Sequence, residues 1–267
     1  MSFKHSGNSC SNTDVFLHRE IKRGLFSEFD MKCAKCENSL SFSTDEKGGE
    51  IENINLTSAS GIISVGGGYS QLAEINASLN IPSMSRALYS KCEDKIRETY
   101  RECLSDVISE AGKAEYELAK FEGKVDANGI PLVCVVADGA WCKRSYKTKY
   151  DSKSGVGCIV GQRTGKLLYL GIRNKFCSIC SLANSRGKEA VGHICYKNFS
   201  GTSTSMESDI IVQGFQSSLA MHGIKYAYLI GDGDSIVQKK LLESRAYKDT
   251  QVQKIECTNH FLRNYCS

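Results

Sequence analysis

Residues 130–150 read IPLVCVVADGAWCKRSYKTKY. Pro131 opens an apolar, β-branched run, Leu132-Val133-Cys134-Val135-Val136, which predicts a central strand buried on both faces. The run meets Asp138-Gly139 and then a basic, aromatic exit that holds Lys143, Arg144, Lys147 and Lys149. A carboxylate at the mouth of a buried strand is costly unless something pairs with it, and a metal ion is such a partner. Taken alone, Asp138 is more simply the start of an Asp-Gly turn. Residues 225–235, KYAYLIGDGDS, repeat the pattern: Tyr226 to Ile230 form a second apolar run that meets Asp232 and Asp234. Two runs ending in carboxylates predict adjacent parallel strands with a site at their carboxyl ends. Acidic oxygen ligands suit Mg²⁺ or Mn²⁺.

The composition is ordinary for a globular protein, 41% hydrophobic and 24% charged over 267 residues, and the order of elements predicts an α/β fold. A net charge of +4 permits nucleic-acid binding without arguing for it. No apolar run is long enough to span a bilayer, and the N-terminus has no apolar core of a secretory signal, so an intracellular protein is expected. Thirteen cysteines there indicate thiols or metal ligands rather than disulfides.

Three regions are expected. Residues 1–50 read as a polar, partly disordered segment containing Cys33-Ala34-Lys35-Cys36. One CxxC is half a zinc site, and it reads as plain structural thiols unless Cys10 or His18 returns to it. Residues 51–129 read as a mainly helical region. It has short strands over 51–65, a short helix over 71–79 and a long helix capped by Ser83, whose apolar stripe runs from Leu88 to Phe121. Residues 130–267 follow as the core. Its strand with Asp138 precedes a hairpin, 156–160 with 166–172, whose loop carries Gly161 and Gly165.

Within that core, residues 175–200 form an insertion. Cys177 and Cys180 make a CxxC, and His193 with Cys195 completes a set of four soft or borderline ligands, a tetrahedral zinc site. The loop-like residues between them would be ordered by a metal. A helix then begins near Thr204, with Thr204-x-x-Glu207 as a capping box. Capping alone accounts for Glu207. The order of elements adds a second role: strand with Asp138, hairpin, helix with Glu207 and strand with Asp232 follow the order of a ribonuclease-H-like core, in which such a Glu reaches the metal pair. A helix over 237–242, a strand over 252–255 and a CxxH pair, Cys257 and His260, complete the reading.

The motifs GGGYSQL, NIPSMS, DGAWCKRSY, NKFCSIC, HICYKN, GTSTSMES, YLIGDGDS and KIECTNH, in that order, resemble the Mutator-like transposase domain over roughly residues 50–265. The resemblance implies a ribonuclease-H-like mixed sheet with flanking helices. It also implies a carboxylate triad that cuts and joins DNA at transposon ends and target, with two divalent ions. Asp138 matches the first acid, Asp232 or Asp234 the second, and Cys257 with His260 the CxxH such transposases carry between the second and third acids. The third, a Glu on a later helix, has no candidate before Ser267, so a chain truncated ahead of it is expected. Zn²⁺ at the Cys/His cluster, Mg²⁺ or Mn²⁺ at the carboxylates, a nuclear location and a homo-oligomer belong to the same expectation. The basic exit from the first strand would contact DNA phosphates or form a solvated loop. The rival class is a domesticated or truncated, inactive zinc-containing module that binds DNA or protein. A nuclease without strand transfer is a third reading.

Overall fold

The computed structural model describes residues 10, 12–36, 38–46, 50–142, 152–231 and 235–256, and the chain divides into two compact units, Met1–Cys103 and Leu104–Ser267.

In the first unit a 3-10 turn at Asn12–Asp14 leads into an antiparallel sheet of β1 (Val15–Arg23), β2 (Phe26–Cys33) and β3 (Ser39–Ser43). Three strands therefore stand where a polar, partly disordered segment is expected. Charges fall on both faces of β1 (Arg19, Glu20, Lys22), and although β2 alternates, with Phe29, Met31 and Cys33 between Glu28, Asp30 and Lys32, that pattern runs straight into the CxxC. Residues 51–65 are also corrected: α1 (Asn53–Ser64) is a helix, not strands. Its Thr57 and Ser58 hydroxyls donate to the carbonyls of Asn53 (2.7 Å) and Ile54 (2.7 Å), so residues with extended preferences bond back along a helix instead. Then come α2 (Tyr69–Ser78) and the long α3 (Arg86–Phe121), whose first turn is capped by Ser85, not Ser83: Leu88 N–H donates to the Ser85 hydroxyl. Ala59, Leu72, Met84, Tyr89, Cys92 and Ile96 form this unit's core.

In the second unit the sheet has the order β6-β5-β4-β7-β8, with β4 (Leu132–Trp141) at its centre. The hairpin β5 (Ser154–Gly161) and β6 (Leu167–Asn174) lies antiparallel on one side; β7 (Lys225–Gly231) and β8 (Gln253–Glu256) lie parallel on the other. Its helices are the part of α3 from Leu104 onward, which gives Ala111 and Ala119 to the core, then α4 (Ser178–Ser185), α5 (Ser205–His222) and α6 (Ser235–Ser244). The two apolar runs are thus adjacent parallel strands. Burial of β4 on both faces is corrected: Val133 and Val135 are buried, whereas Val136 and Asp138 are exposed. A continuous apolar run cannot tell a one-sided strand from a two-sided one.

Helix α5 lies along the covered face because Met206, Ile210, Ile211, Gly214, Phe215 and Ser218 recur at helical steps. Gly157 and Gly171 pair across β5 and β6, and Ile210 sits over both: a Cβ on either would come within 2.8 Å or 2.4 Å of its Cγ2. Phe215 meets Tyr226 of β7 edge-to-face, with ring centroids 5.2 Å apart. At the other end of the sheet, the buried Lys225 ammonium is held by Asp126 (2.6 Å) and Asp249 (2.5 Å). The Lys225 charge holds both carboxyls below the usual range.

The Gly157–Gly171 slot gives a direct test. Gly171→Ala forces Ile210 outward and is expected to cost about 1–3 kcal/mol, the range for overpacking a core, read as a lower urea midpoint. Gly61→Ala in α1, where a Cβ meets nothing within 4 Å, is expected to leave the midpoint unchanged or raise it slightly.

Candidate metal and carboxylate sites

Asp138 lies on β4 opposite Cys158 of β5, not beyond the strand's end as the Asp-Gly turn requires. Its Oδ1 accepts the Gly139 N–H (2.8 Å). Alternation along the strand turns Ala137 and Gly139 toward α5 and Asp138 toward the more exposed face.

Glu207 stands beside this strand. A Cβ on Gly139 would come within 2.7 Å of the Glu207 Cδ, so the absent side chain is what lets the carboxylate lie there. Glu207 also lines a cleft with Ala137, Leu229, Gly231 and Lys254, at the carboxyl ends of β4 and β7. The expected capping box is corrected: Thr204 makes no side-chain cap bond, and its hydroxyl pairs with that of Thr202 (3.1 Å). Asp138 and Glu207 therefore flank the β4 backbone from opposite sides. Both act on the Cys158 thiol, which burial first, then the Asp138 charge and more weakly Glu207, push above its ordinary value. Lys254 escapes sequence reading, because a lysine on a short strand carries no motif; its place in the cleft follows from the β7–β8 register, Leu229 against Lys254.

Asp232, Asp234, Cys257, His260, Lys143, Arg144, Lys147 and Lys149 lie outside the described residues.

The four expected zinc ligands do converge. Cys177 is the N-cap of α4 and Cys180 lies in its first turn. The loop that follows returns His193 and Cys195, and the four ligand atoms lie within 4.8 Å of one another. His193 Nε2 is 3.2 Å from the Cys177 sulfur and 3.4 Å from that of Cys180, which is 3.6 Å from the Cys195 sulfur. His193 Nδ1 pairs with the Val191 carbonyl (2.7 Å). As the donor there, Nδ1 leaves the Nε2 lone pair for a metal, the outer-shell arrangement of a ligating histidine. The Cys180 N–H, with side-chain hydrogen bonds from Cys180 and His193 and the Ile179 N–H, lowers the Cys177 thiol to about 6. Hydrogen bonds to Cys195 and Cys177 push Cys180 up to about 11. The Val191 carbonyl, with Cys195 and Cys177, raises His193 to about 9.

No residue from 175 to 200 is buried, and Val191 and Ile194 are more than 70% exposed. The segment has no apolar core, and hydrogen bonds centred on Asn174 and Asn198 tie its ends to β6: Asn174 N–H donates to the Asn198 side chain (2.7 Å), Asn198 N–H to the Asn174 carbonyl (2.9 Å), and Asn198 Nδ2 to the Ile172 carbonyl (2.9 Å). Two thiols and a His/Cys pair are a soft donor set that could bind a metal such as zinc, and such a metal would supply the ordering that burial does not.

A family model for Mutator-like transposase matches residues 1–267. No curated protein and no solved structure matches the chain. The chain belongs to the Mutator-like transposase family.

The Cys/His cluster predicts that Cys177→Ser removes zinc from the purified protein and opens residues 175–200 to limited proteolysis, while the sheet keeps its thermal transition. Because Cys180 and His193 must lose protons to bind metal, zinc affinity should fall as pH is lowered from 8 to 6, followed by competition with a colorimetric chelator. Unchanged zinc content in the Cys177 variant would reject the site.

Proposed function

We propose that this Mutator-like transposase is a divalent-metal-dependent enzyme that cleaves and joins DNA strands at transposon ends, and that its second unit is a ribonuclease-H-like catalytic core. The observation that carries the reading is the place of Glu207: against Gly139, one residue from Asp138, in the cleft that ends at Gly231. Gly231 is the residue before the GDGD acids. The order of elements agrees with that core: central strand with Asp138, antiparallel hairpin, helix with Glu207, parallel neighbour strand.

Asp138, Asp232 or Asp234, and Glu207 would hold Mg²⁺ or Mn²⁺, with Asp138 turning from the other face of β4 to reach the ion. When bound, such ions stabilise charge on the scissile phosphate and the leaving oxygen. The chain's own residues do the remaining work. Gly139 leaves room for the Glu207 carboxylate. Lys254 brings a cation to the cleft, and Lys143, Arg144, Lys147 and Lys149 follow the first acid closely enough in sequence to meet DNA phosphates. The Cys/His cluster orders the insertion beyond β6, with Cys257 and His260 as a further ligand pair. Action on chromosomal DNA places the protein in the nucleus, with DNA and a second copy of the chain as partners.

Nicking of supercoiled plasmid by the purified chain in Mn²⁺ or Mg²⁺ tests the proposal. Asp138→Asn should abolish it, and Glu207→Gln should reduce it at least tenfold with little change in melting temperature. Gly139→Ala, which displaces the Glu207 side chain, should act in the same direction. Wild-type nicking by Glu207→Gln would return Glu207 to a structural role. DNA binding with no nicking under any metal would assign the chain to the rival class, a zinc-containing binding module.

A further inference from the structure

The first unit contains a second sulfur cluster. Within the β1–β3 strands only Phe26 and Cys33 are buried, and they are the two ends of β2. At the Phe26 end the polypeptide itself supplies the anchor. Leu25 N–H donates to the Asn55 side chain (2.9 Å), Asn55 Nδ2 donates to the Arg23 carbonyl (2.9 Å), and Arg23 pairs with Glu52 (2.8 Å). At the Cys33 end, the sulfurs of Cys10, Cys33 and Cys36 lie within 4.8 Å of one another.

The backbone is shaped for this meeting. Cys33 N–H donates to the Asn38 carbonyl (3.0 Å) and closes the turn that carries Cys36. Ala34 N–H donates to the Asp14 carbonyl (2.8 Å), and Lys35 pairs with Asp14 (3.0 Å), which lays the segment after Cys10 along the turn. The N–H groups of Cys36 and Lys35 hydrogen-bond to the Cys33 sulfur, an arrangement that favours its thiolate. His18 is exposed on β1 beside Phe16 and takes no part.

A small sheet that is at most half-buried between the two ends of β2, with Phe29 stacked on Phe42, is held only weakly by burial and needs a staple. Three thiols gathered at one end of it, with peptide donors aimed at the most buried, are a ligand set for a soft or borderline cation. We propose that Cys10, Cys33 and Cys36 bind a second zinc ion, and that this ion fastens the β1–β3 sheet at the end opposite Phe26. Each thiol that is protonated beforehand releases its proton to solvent, and nothing is oxidised. Water would complete the tetrahedron. The inference is independent of the carboxylate site: a protein that never cuts DNA could still carry this ion.

The test uses the full chain, purified under reducing conditions in the presence of zinc. Elemental analysis should show that Cys33→Ser/Cys36→Ser loses one equivalent of zinc, and that this loss adds to the one caused by Cys177→Ser. Should that double variant fail to fold, the wild-type protein decides the matter. Cys10, Cys33 and Cys36 should resist N-ethylmaleimide until a zinc chelator is added, read by peptide mass spectrometry, and then react at least tenfold faster. Equal zinc in the wild type and a folded Cys33→Ser/Cys36→Ser variant would overturn the proposal. So would alkylation of the three cysteines that a chelator does not change, or a Cys33–Cys36 disulfide in freshly reduced protein.

Discussion

The second unit depends on how closely α5 can approach the sheet. Ile210 rests over paired glycines, Gly157 and Gly171, and any side chain at either position would collide with it. That contact fixes the height of α5 above β5 and β6, and with it the height of Glu207 one turn earlier. A third glycine, Gly139 on β4, then leaves the space the Glu207 carboxylate fills. A helix pushed outward by one methyl group would carry the carboxylate away from the carboxyl ends of β4 and β7. Packing and chemistry are linked here through absent side chains, since interiors packed like crystals have no slack to absorb such a change.

The same chain solves a different problem where it has no core to offer. Residues 175–200 and the β1–β3 sheet bury almost nothing, yet each brings cysteines together from positions distant in sequence. In both cases a CxxC turn presents one sulfur to backbone N–H donors, and a ligand from another segment closes the group. For small exposed segments, soft ligands are an alternative to apolar burial. The Cys/His cluster is a ligand set that could hold a metal such as zinc; the three-cysteine cluster extends the same logic to the other unit.

Much of this was legible in the residues. The apolar runs ending at Ile230 and before Asp138 predict adjacent parallel strands, and β4 and β7 are that pair. The hairpin, the long helix and the convergence of Cys177, Cys180, His193 and Cys195 also follow from periodicity and ligand spacing. Strands β1–β3 were missed although Phe29, Met31 and Cys33 alternate with Glu28, Asp30 and Lys32 on β2, because β1 carries charges on both faces and the polar flanks of the segment outweighed that short pattern. Helix α1 was hidden because its buried positions include Asn55, a polar residue used to bond Arg23 and Leu25 across the unit. The Thr204-x-x-Glu207 pattern pointed to a capping box, but Thr204 turns to Thr202 and the Glu207 side chain reaches Gly139. Local patterns lose where a tertiary contact offers a side chain a different partner.

The central claim is that a divalent ion draws Glu207, the GDGD acids and Asp138, whose side chain leaves β4 on the face away from Glu207, into one site. Iron-directed cleavage measures this without any DNA. Fe²⁺ replaces Mg²⁺ at such a site, and ascorbate with peroxide then generates radicals that cut the backbone close to the ion. The account predicts that cuts cluster together near Gly139, near Glu207 and within residues 231–235, and that excess Mg²⁺ or Asp138→Asn suppresses all three. Cuts confined to the cysteine clusters, or cuts near Gly139 that leave Glu207 and residues 231–235 intact, would contradict it.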